Sequence, residues 1–420
     1  MVQRPDGALA ARRSKLDEAA YKVALLCSGI GDIRRGSETF FSEYFAAVNR
    51  AEIEKPVMHL YQGGTEYRVP NARRLWRLGR NSKVARLLGR ARIRHGSGWA
   101  RGFWTENVTY MLSFLLTSPF RSAYDVLHVT DSQTKNMLCF LKRKGLIRAK
   151  IVFSIGVAYE LLRPGLCDSR RVTDVDLFHF SNQADYELAM SDGLIPADRA
   201  TCLPQGVNAA FFSAADQARG LAARDAFGIP RHSRLLISVG ALGEGKNMRL
   251  LVDAVRQLPE DVSLLVLGDH ASPSLLKNAK ESMGQRFAFG RLPQRELADV
   301  MCTAELDVFP SLSEGFGRSV LEAVCAGVPC LVHDNDWFKV LIQCDAFRVD
   351  MRDPANLSNR IEALLDNPNE THERFLHLRH QIMRQYDWSN LLPRYLAELY
   401  CKPLGLTDHD SSSRTAGCVL

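Results

Sequence analysis

The stretch PSLSEGFGRSVLEAVCAGVP, residues 310–329, decides the fold. An apolar run, ELDVFPS (305–311), leads into it and reads as a buried strand ending near Ser311. A loop with Glu314, Gly315 and Gly317 follows, and a helix begins near Ser319. Ala326-Gly327 closes that helix, and VPCLVHD (328–334) reads as the next strand. Strand, glycine loop, helix and strand make one unit of a parallel α/β sheet. A glycine loop ahead of a helix leaves backbone N–H groups free at the positive end of the helix dipole. Such a terminus suits an anion or a cluster of hydroxyl groups, and the Glu314 carboxylate stands beside it.

The same alternation extends outward in both directions. Downstream of residue 215, RLLISVGAL (234–242), SLLVLGD (263–269) and QRFAFGRL (285–292) read as strands, and MRLLVDAVRQL (248–258) as a helix. Upstream, YKVALLCSGIG (21–31), DVLHVTD (125–131), AKIVFSIG (149–156) and DLFHFSN (176–182) read as strands. SETFFSEYFAAV (37–48) has helical spacing. Two successive α/β domains are therefore expected, at 21–213 and 214–386. A helix over 387–402 is expected to pack back on the first domain. Flexible tails are expected at 1–20 and 403–420. A length of 420 residues fits two cores better than one.

Composition excludes several classes. Apolar residues make up 46% and charged residues 24%, which argues against wholesale disorder. No run of 18 apolar residues is present, so no membrane-spanning helix is expected. Arg12, Arg13 and Lys15 are not followed by an apolar stretch, so no signal peptide is expected. The 10 cysteines form no CxxC pair, which predicts reduced thiols and a cytoplasmic setting. GIGDIR (29–34) has Arg34 where a dinucleotide fingerprint needs its third glycine.

One segment breaks the charge pattern. Residues 67–105 hold ten arginines and Lys83 with no acidic residue, and Trp76, Trp99, Phe103 and Trp104 are interleaved. The stretch 72–94 predicts one or two basic amphipathic helices. Such a surface suits anionic lipid headgroups, so the inner face of a membrane is a candidate partner. A solvated basic face is the alternative. Nucleic acid is not expected, because no recognition motif accompanies the charge.

Residues 310–329 resemble the signature of retaining glycosyltransferases of family 4. SVGALGEGKNMRLLVDAV (238–255) is similar to that family's glycine–basic–lysine loop. VLGD (266–269), FAFGRLP (287–293), CLPQGVNAAFF (202–212) and RRGSETFFSEYF (34–45) resemble further segments in the same order. The resemblance implies a GT-B architecture, with two Rossmann-like doubly wound domains facing across a cleft. It implies transfer of a sugar from a nucleotide-sugar donor to a glycan or lipid-linked acceptor. Glu322 would bind the ribose hydroxyls, and Glu314 the transferred sugar. Backbone N–H groups of Phe316, Gly317 and Arg318 would contact sugar and diphosphate, while Lys246 would neutralise the departing diphosphate. Gly36 would let backbone approach the diphosphate. Gly290, with Arg291, would meet the base. His128 and Asp131 match the end of the family's first-domain His-x-His-Asp strand, with His128 in a catalytic role. No cofactor and no metal are expected, because basic residues and helix dipoles do a metal's work.

Three departures stand out. Ala241 occupies a position where the family often has arginine, leaving Lys246 alone; Arg318 is a candidate to supply the missing charge. Thr130 replaces the second histidine of the strand-end motif, and HDNDWFKVL (333–341) replaces a Gly-Gly pair. A buried His128 satisfied by backbone, and Trp337 and Phe338 in a core, are the structural readings of those residues. Ala241 and Thr130 also keep open a nucleotide-sugar-binding protein without turnover. A nucleotide-sugar epimerase on the same fold is a further alternative.

Overall fold

The computed structural model describes residues 21–33, 36–91, 98–117, 123–156, 159–166 and 170–406. The expected tail at 1–20 and most of that at 403–420 lie outside these residues, as do 92–97 of the basic segment. The chain divides into two compact units. The first is Met1–Ser181, Asp185–Leu203 and Leu392–Leu420; the second is Asn182–Ala184 with Pro204–Leu391. The expected boundary at 213/214 thus falls inside the second unit. There Phe212 is fully buried in that unit's core, and the short helix Ala209–Ser213 packs on the helix Arg318–Ala326.

The first unit carries strands β1 (Lys22–Cys27), β2 (Val57–Gln62), β3 (Arg73–Arg74), β4 (Val126–Val129), β5 (Lys150–Ser154), β6 (Leu177–Phe180) and β7 (Ala200–Cys202). They form one parallel sheet in the order β3-β2-β1-β4-β5-β6-β7. The second unit carries β8 (Arg234–Val239), β9 (Val262–Leu267), β10 (Phe287–Gly290), β11 (Leu306–Phe309), β12 (Cys330–His333) and β13 (Arg348–Val349). Their order is β10-β9-β8-β11-β12-β13, again all parallel. Parallel strands are covered on both faces by crossover helices, which is why they read as unbroken apolar runs. Every residue of β9, β11 and β12 is buried.

Four strands escaped the sequence reading. β2 (VMHLYQ) has His59 and Gln62 breaking its apolar run. β3, β7 and β13 are two or three residues long. β3 is an edge strand, and its two exposed arginines blunt that edge against further pairing.

The basic segment differs from expectation. Among the described residues of 72–94, an α-helix covers Lys83–Leu88 and a 3-10 turn Gly89–Ala91; Ser82 caps the helix, its hydroxyl accepting from the Ala85 N–H at 3.0 Å. Residues 75–82 are not helical, because their arginines turn inward. Glu106, fully buried on the helix Gly98–Thr117, binds Arg77 and Arg80. Arg77 also reaches Asp32 at 2.6 Å, and the Ser28 hydroxyl donates to Glu106 at 3.0 Å. A window without acids in sequence therefore finds its acids in space. This pair of arginines holds the loop after β1 instead of facing solvent.

Residues 392–406 belong to the first unit, fastened by a buried relay. The Leu203 carbonyl can only accept, so His179 Nε2 (2.9 Å) must carry a proton. His179 Nδ1 then accepts from the Ser154 hydroxyl at 2.6 Å, and Ser154 Oγ accepts from His128 Nε2–H at 2.6 Å. His128 Nδ1 is left to accept from the Tyr400 hydroxyl at 2.9 Å. Both rings are neutral in this chain. Burial pushes His128 well below its ordinary value of 6.5 and His179 down to about 4.

In the unfolded chain both rings charge near pH 6.5, whereas in the fold they do not. The stability this contributes is present above pH 6.5 and is lost as pH falls toward about 4. Imidazole nitrogen shifts measured by NMR are expected to show both rings as neutral Nε2–H tautomers at pH 6, where exposed histidines are largely charged. Titration of either ring near pH 6.5 would contradict the relay.

Candidate functional site

In an open parallel sheet, ligands bind beyond the carboxyl ends of the strands, where the strand order reverses. In the second unit that point lies between β8 and β11. The loop after β8 leads through a 3-10 turn, Glu244–Lys246, into the helix Met248–Val255. The loop after β11 leads into the helix Arg318–Ala326. Neither helix receives a side-chain cap. The first N–H groups of a helix have no partner inside it, so two positive helix ends meet at one place.

Each loop is shaped by one left-handed residue. Gly317 has φ +87°, and a side chain there would press on the Phe338 ring. Asn247 has φ +54°, which few non-glycine residues tolerate. Its amide is spent elsewhere than on its own helix. It donates to the Pro310 carbonyl at 3.1 Å and to the Met351 carbonyl at 2.8 Å. Asn247 therefore stitches the base of the β8 loop to the base of the β11 loop. Sequence reading overlooked it, although an asparagine between a lysine and a helix start is a signal for a left-handed cap.

Between those bases Lys246 and Glu314 meet in an ion pair. The ammonium also lies 5.9 Å from the Phe309 ring centre. Both side chains keep partial exposure. Phe316 is buried against Trp337, whose indole N–H donates to the Phe316 carbonyl at 2.8 Å. Trp337 and Phe338 are core residues. Their helix, Asp336–Leu341, is capped by Asn335, which also donates to the Leu312 carbonyl at 3.1 Å. The segment standing in for a Gly-Gly pair is thus the buttress of the Glu314 loop.

Glu322 is largely buried one turn into its helix, and Arg318 reaches it at 3.3 Å. The guanidinium donates to the Gly206 carbonyl at 2.7 Å as well. Arg318 was a candidate to replace the charge missing at Ala241. Its side chain spans Glu322 and the Gly206 carbonyl. Gly290, at the end of β10, accepts from the Gly268 N–H at 2.9 Å and lies against the Phe227 ring. Arg291 pairs with Asp269 at 2.8 Å. Lys246, Glu314, Phe316, Gly317, Arg318 and Glu322 thus gather around one switch point, and Gly290 closes a neighbouring strand.

The first unit has its own switch point between β1 and β4. Asp131 lies just past β4, caps the helix Ser132–Arg143 and accepts from the Thr134 N–H at 2.7 Å. Its Oδ2 is buried without a partner, and burial pushes the carboxyl up to about 6. Gly36 is exposed at the start of the helix Gly36–Arg50. His128, expected as catalytic, has no exposed surface, and both ring nitrogens are committed to the Tyr400 and Ser154 hydroxyls. That is the setting of a satisfied core histidine. Among the described residues no cluster of His, Cys, Asp or Glu could hold a metal ion.

Residues 222–376 match the family described as "Glycosyl transferases group 1". The chain is similar to a phosphatidyl-myo-inositol mannosyltransferase of Mycobacterium leprae, with 29% identity over 194 residues, 44% of this chain and 50% of the relative. It is similar to a D-inositol 3-phosphate glycosyltransferase of Thermobispora bispora, with 30% identity over 230 residues, 50% of this chain and 52% of the relative. The chain thus spans about half the length of these curated relatives. Among solved structures it is similar to HepE of Anabaena in complex with UDP-glucose, with a TM-score of 0.69 and 14% identity. That match covers 90% of this chain and 99% of the other. It is also similar to sucrose-phosphate synthase of Thermosynechococcus elongatus, with a TM-score of 0.73 and 15% identity, covering 92% of this chain and 100% of the other. The fold is GT-B, built of two Rossmann-like α/β units with parallel sheets.

One buried group beside the site was overlooked. Asp307, on β11, is fully buried, and neither carboxyl oxygen has a hydrogen-bond partner. Burial, then the charge of Glu322, raise it well above its ordinary 3.8, so the fold disfavours its ionised form. The unfolded chain ionises this group above pH 4, which favours unfolding as pH rises. Asp307→Val is expected to stabilise the protein at pH 7 by about 1–3 kcal/mol in urea unfolding. The gap should open as pH rises above about 4; a destabilised variant would mean that the carboxyl has a donor.

Proposed function

Because residues 222–376 match the group 1 glycosyl transferase family, we propose that this protein transfers a sugar from a nucleotide-sugar donor. The observation that carries the proposal is the meeting of Lys246 and Glu314 at two uncapped helix ends. One ligand needs a cation and helix N-termini for its diphosphate and a carboxylate for its hydroxyls. A nucleotide sugar has both parts joined.

In the proposed mechanism, N–H groups of Phe316, Gly317 and Arg318 hold the diphosphate at the helix end. Lys246 neutralises the charge that grows on the leaving diphosphate, which lowers the barrier more than it tightens ground-state binding. Glu314 accepts from the sugar hydroxyls, and Glu322 from the ribose. Backbone near Gly290 and Arg291 meets the base. The anomeric configuration is retained, and no metal is needed. The acceptor is a glycan or a lipid-linked sugar. The Mycobacterium leprae relative is named for action on phosphatidyl-myo-inositol, which supports an acceptor of that kind.

A thermal-shift panel of nucleotides and nucleotide sugars tests this reading, with and without EDTA. A ligand at 100 times its dissociation constant adds about 2.7 kcal/mol of stability. One nucleoside diphosphate and its sugars should stabilise the protein, equally with EDTA, and Glu322→Ala should abolish the shift. No response to any nucleotide would overturn the proposal.

The acceptor reading extends to a membrane surface. Trp76, Val84, Leu87 and Leu88 are exposed, and Lys83, Arg86 and Arg90 stand among them. Each basic residue near an anionic bilayer contributes about 1 kcal/mol. Among the described residues no helix is long and apolar enough to cross a membrane. Flotation with vesicles containing anionic lipid is expected to carry the protein at low salt and to fail for Leu87→Glu. Equal recovery with and without anionic lipid would exclude this docking.

A further inference from the structure

Lys246 and Glu314 are placed in opposite ligand roles by the proposed function, yet in the structure they neutralise each other. The pair is not needed to hold its loops. Asn247 already joins the loop bases through the Pro310 and Met351 carbonyls. Asn335 and Trp337 hold the Glu314 loop from behind, through the Leu312 and Phe316 carbonyls. The ion pair is therefore a contact between two side chains whose backbones are fixed independently. It can open without moving either loop, and its partial exposure leaves both groups within reach of a ligand.

We propose that this pair is a displaceable latch that makes the site discriminate an intact nucleotide sugar from the nucleoside diphosphate left after transfer. The proposal rests on the donor reading of the same site. An intact donor offers a partner to each member: its diphosphate takes Lys246, and its sugar hydroxyls take Glu314. Opening the latch then leaves no charge unpaired, which matters because an unpaired, partly buried charge is costly. A nucleoside diphosphate offers only half of the exchange. It takes the ammonium and leaves the Glu314 carboxylate without a partner. After transfer the freed carboxylate competes with the product for Lys246, and that competition favours release. A ligand-free lysine at two helix ends would otherwise collect any phosphate compound.

The test is calorimetric titration of UDP, GDP and ADP and their glucose or mannose conjugates into the full chain. Four proteins are compared: the wild type, Glu314→Gln, Lys246→Met and the double variant. Circular dichroism and melting temperature check that each is folded. In Glu314→Gln the diphosphate that binds should bind tighter by on the order of fivefold, the worth of a partly exposed ion pair. The nucleotide sugar should gain less, so the preference for donor over product shrinks. Inhibition by the product diphosphate should strengthen in step. In the Lys246→Met background, Glu314→Gln should leave the diphosphate affinity unchanged, because there is no latch to release.

If Glu314→Gln does not tighten diphosphate binding, the latch is refuted while the donor reading stands. If Glu314→Gln tightens it equally in the Lys246→Met background, the carboxylate acts by simple repulsion and the latch is again refuted. If no nucleotide binds to any of the four proteins, the donor reading itself falls.

Discussion

Asn247 sits in a left-handed conformation and uses both amide hydrogens on carbonyls of other segments. The candidate site depends on that arrangement. It turns the chain sharply after Lys246, so that the ammonium faces the β11 loop. It also denies the helix Met248–Val255 its side-chain cap, leaving that helix end open to a ligand. Two part-buried hydrogen bonds of about 1 kcal/mol each then tie three segments together. The geometry of Lys246 and Glu314 follows from a residue that need touch no substrate.

The second unit concentrates polar groups where the physics of a parallel sheet puts them. β8 and β11 pair side by side at the switch point, and both following helices start there without side-chain caps. Around that point the interior is apolar and tightly covered: Phe309, Phe316, Trp337 and Phe338 are all buried. A dry wall strengthens each electrostatic contact at the rim. It also explains the unusual Asp307, whose carboxyl is held well above its ordinary value by burial.

The first unit shows the contrary use of polar residues. His128, His179, Ser154, Tyr400 and the Leu203 carbonyl form a relay in which each ring nitrogen is matched. Glu106 likewise draws in Arg77 and Arg80. These groups look functional by residue type. Their partners, however, are one another, and what they accomplish is to fasten residues 392–406 and the loop after β1.

By itself the sequence determined the alternation of apolar strands and amphipathic helices, because burial on both faces of a parallel sheet imposes it on every residue of a strand. Resemblance to a family motif also pointed to the EGFG loop and the later glutamate, which the structure brings to one switch point. Lys246, Glu314, Gly317 and Glu322 were legible for that reason. Only the tertiary structure decided the fate of side chains whose partners are remote in the chain. His128 met Tyr400 across 272 positions, Arg318 turned to Gly206 across 112, and Lys246 met Glu314 across 68. Local pattern carries no information about such distances. A charge or ring finds its partner through the path of the whole chain, so the arginine-rich segment read as one continuous surface until Glu106 claimed two of its arginines.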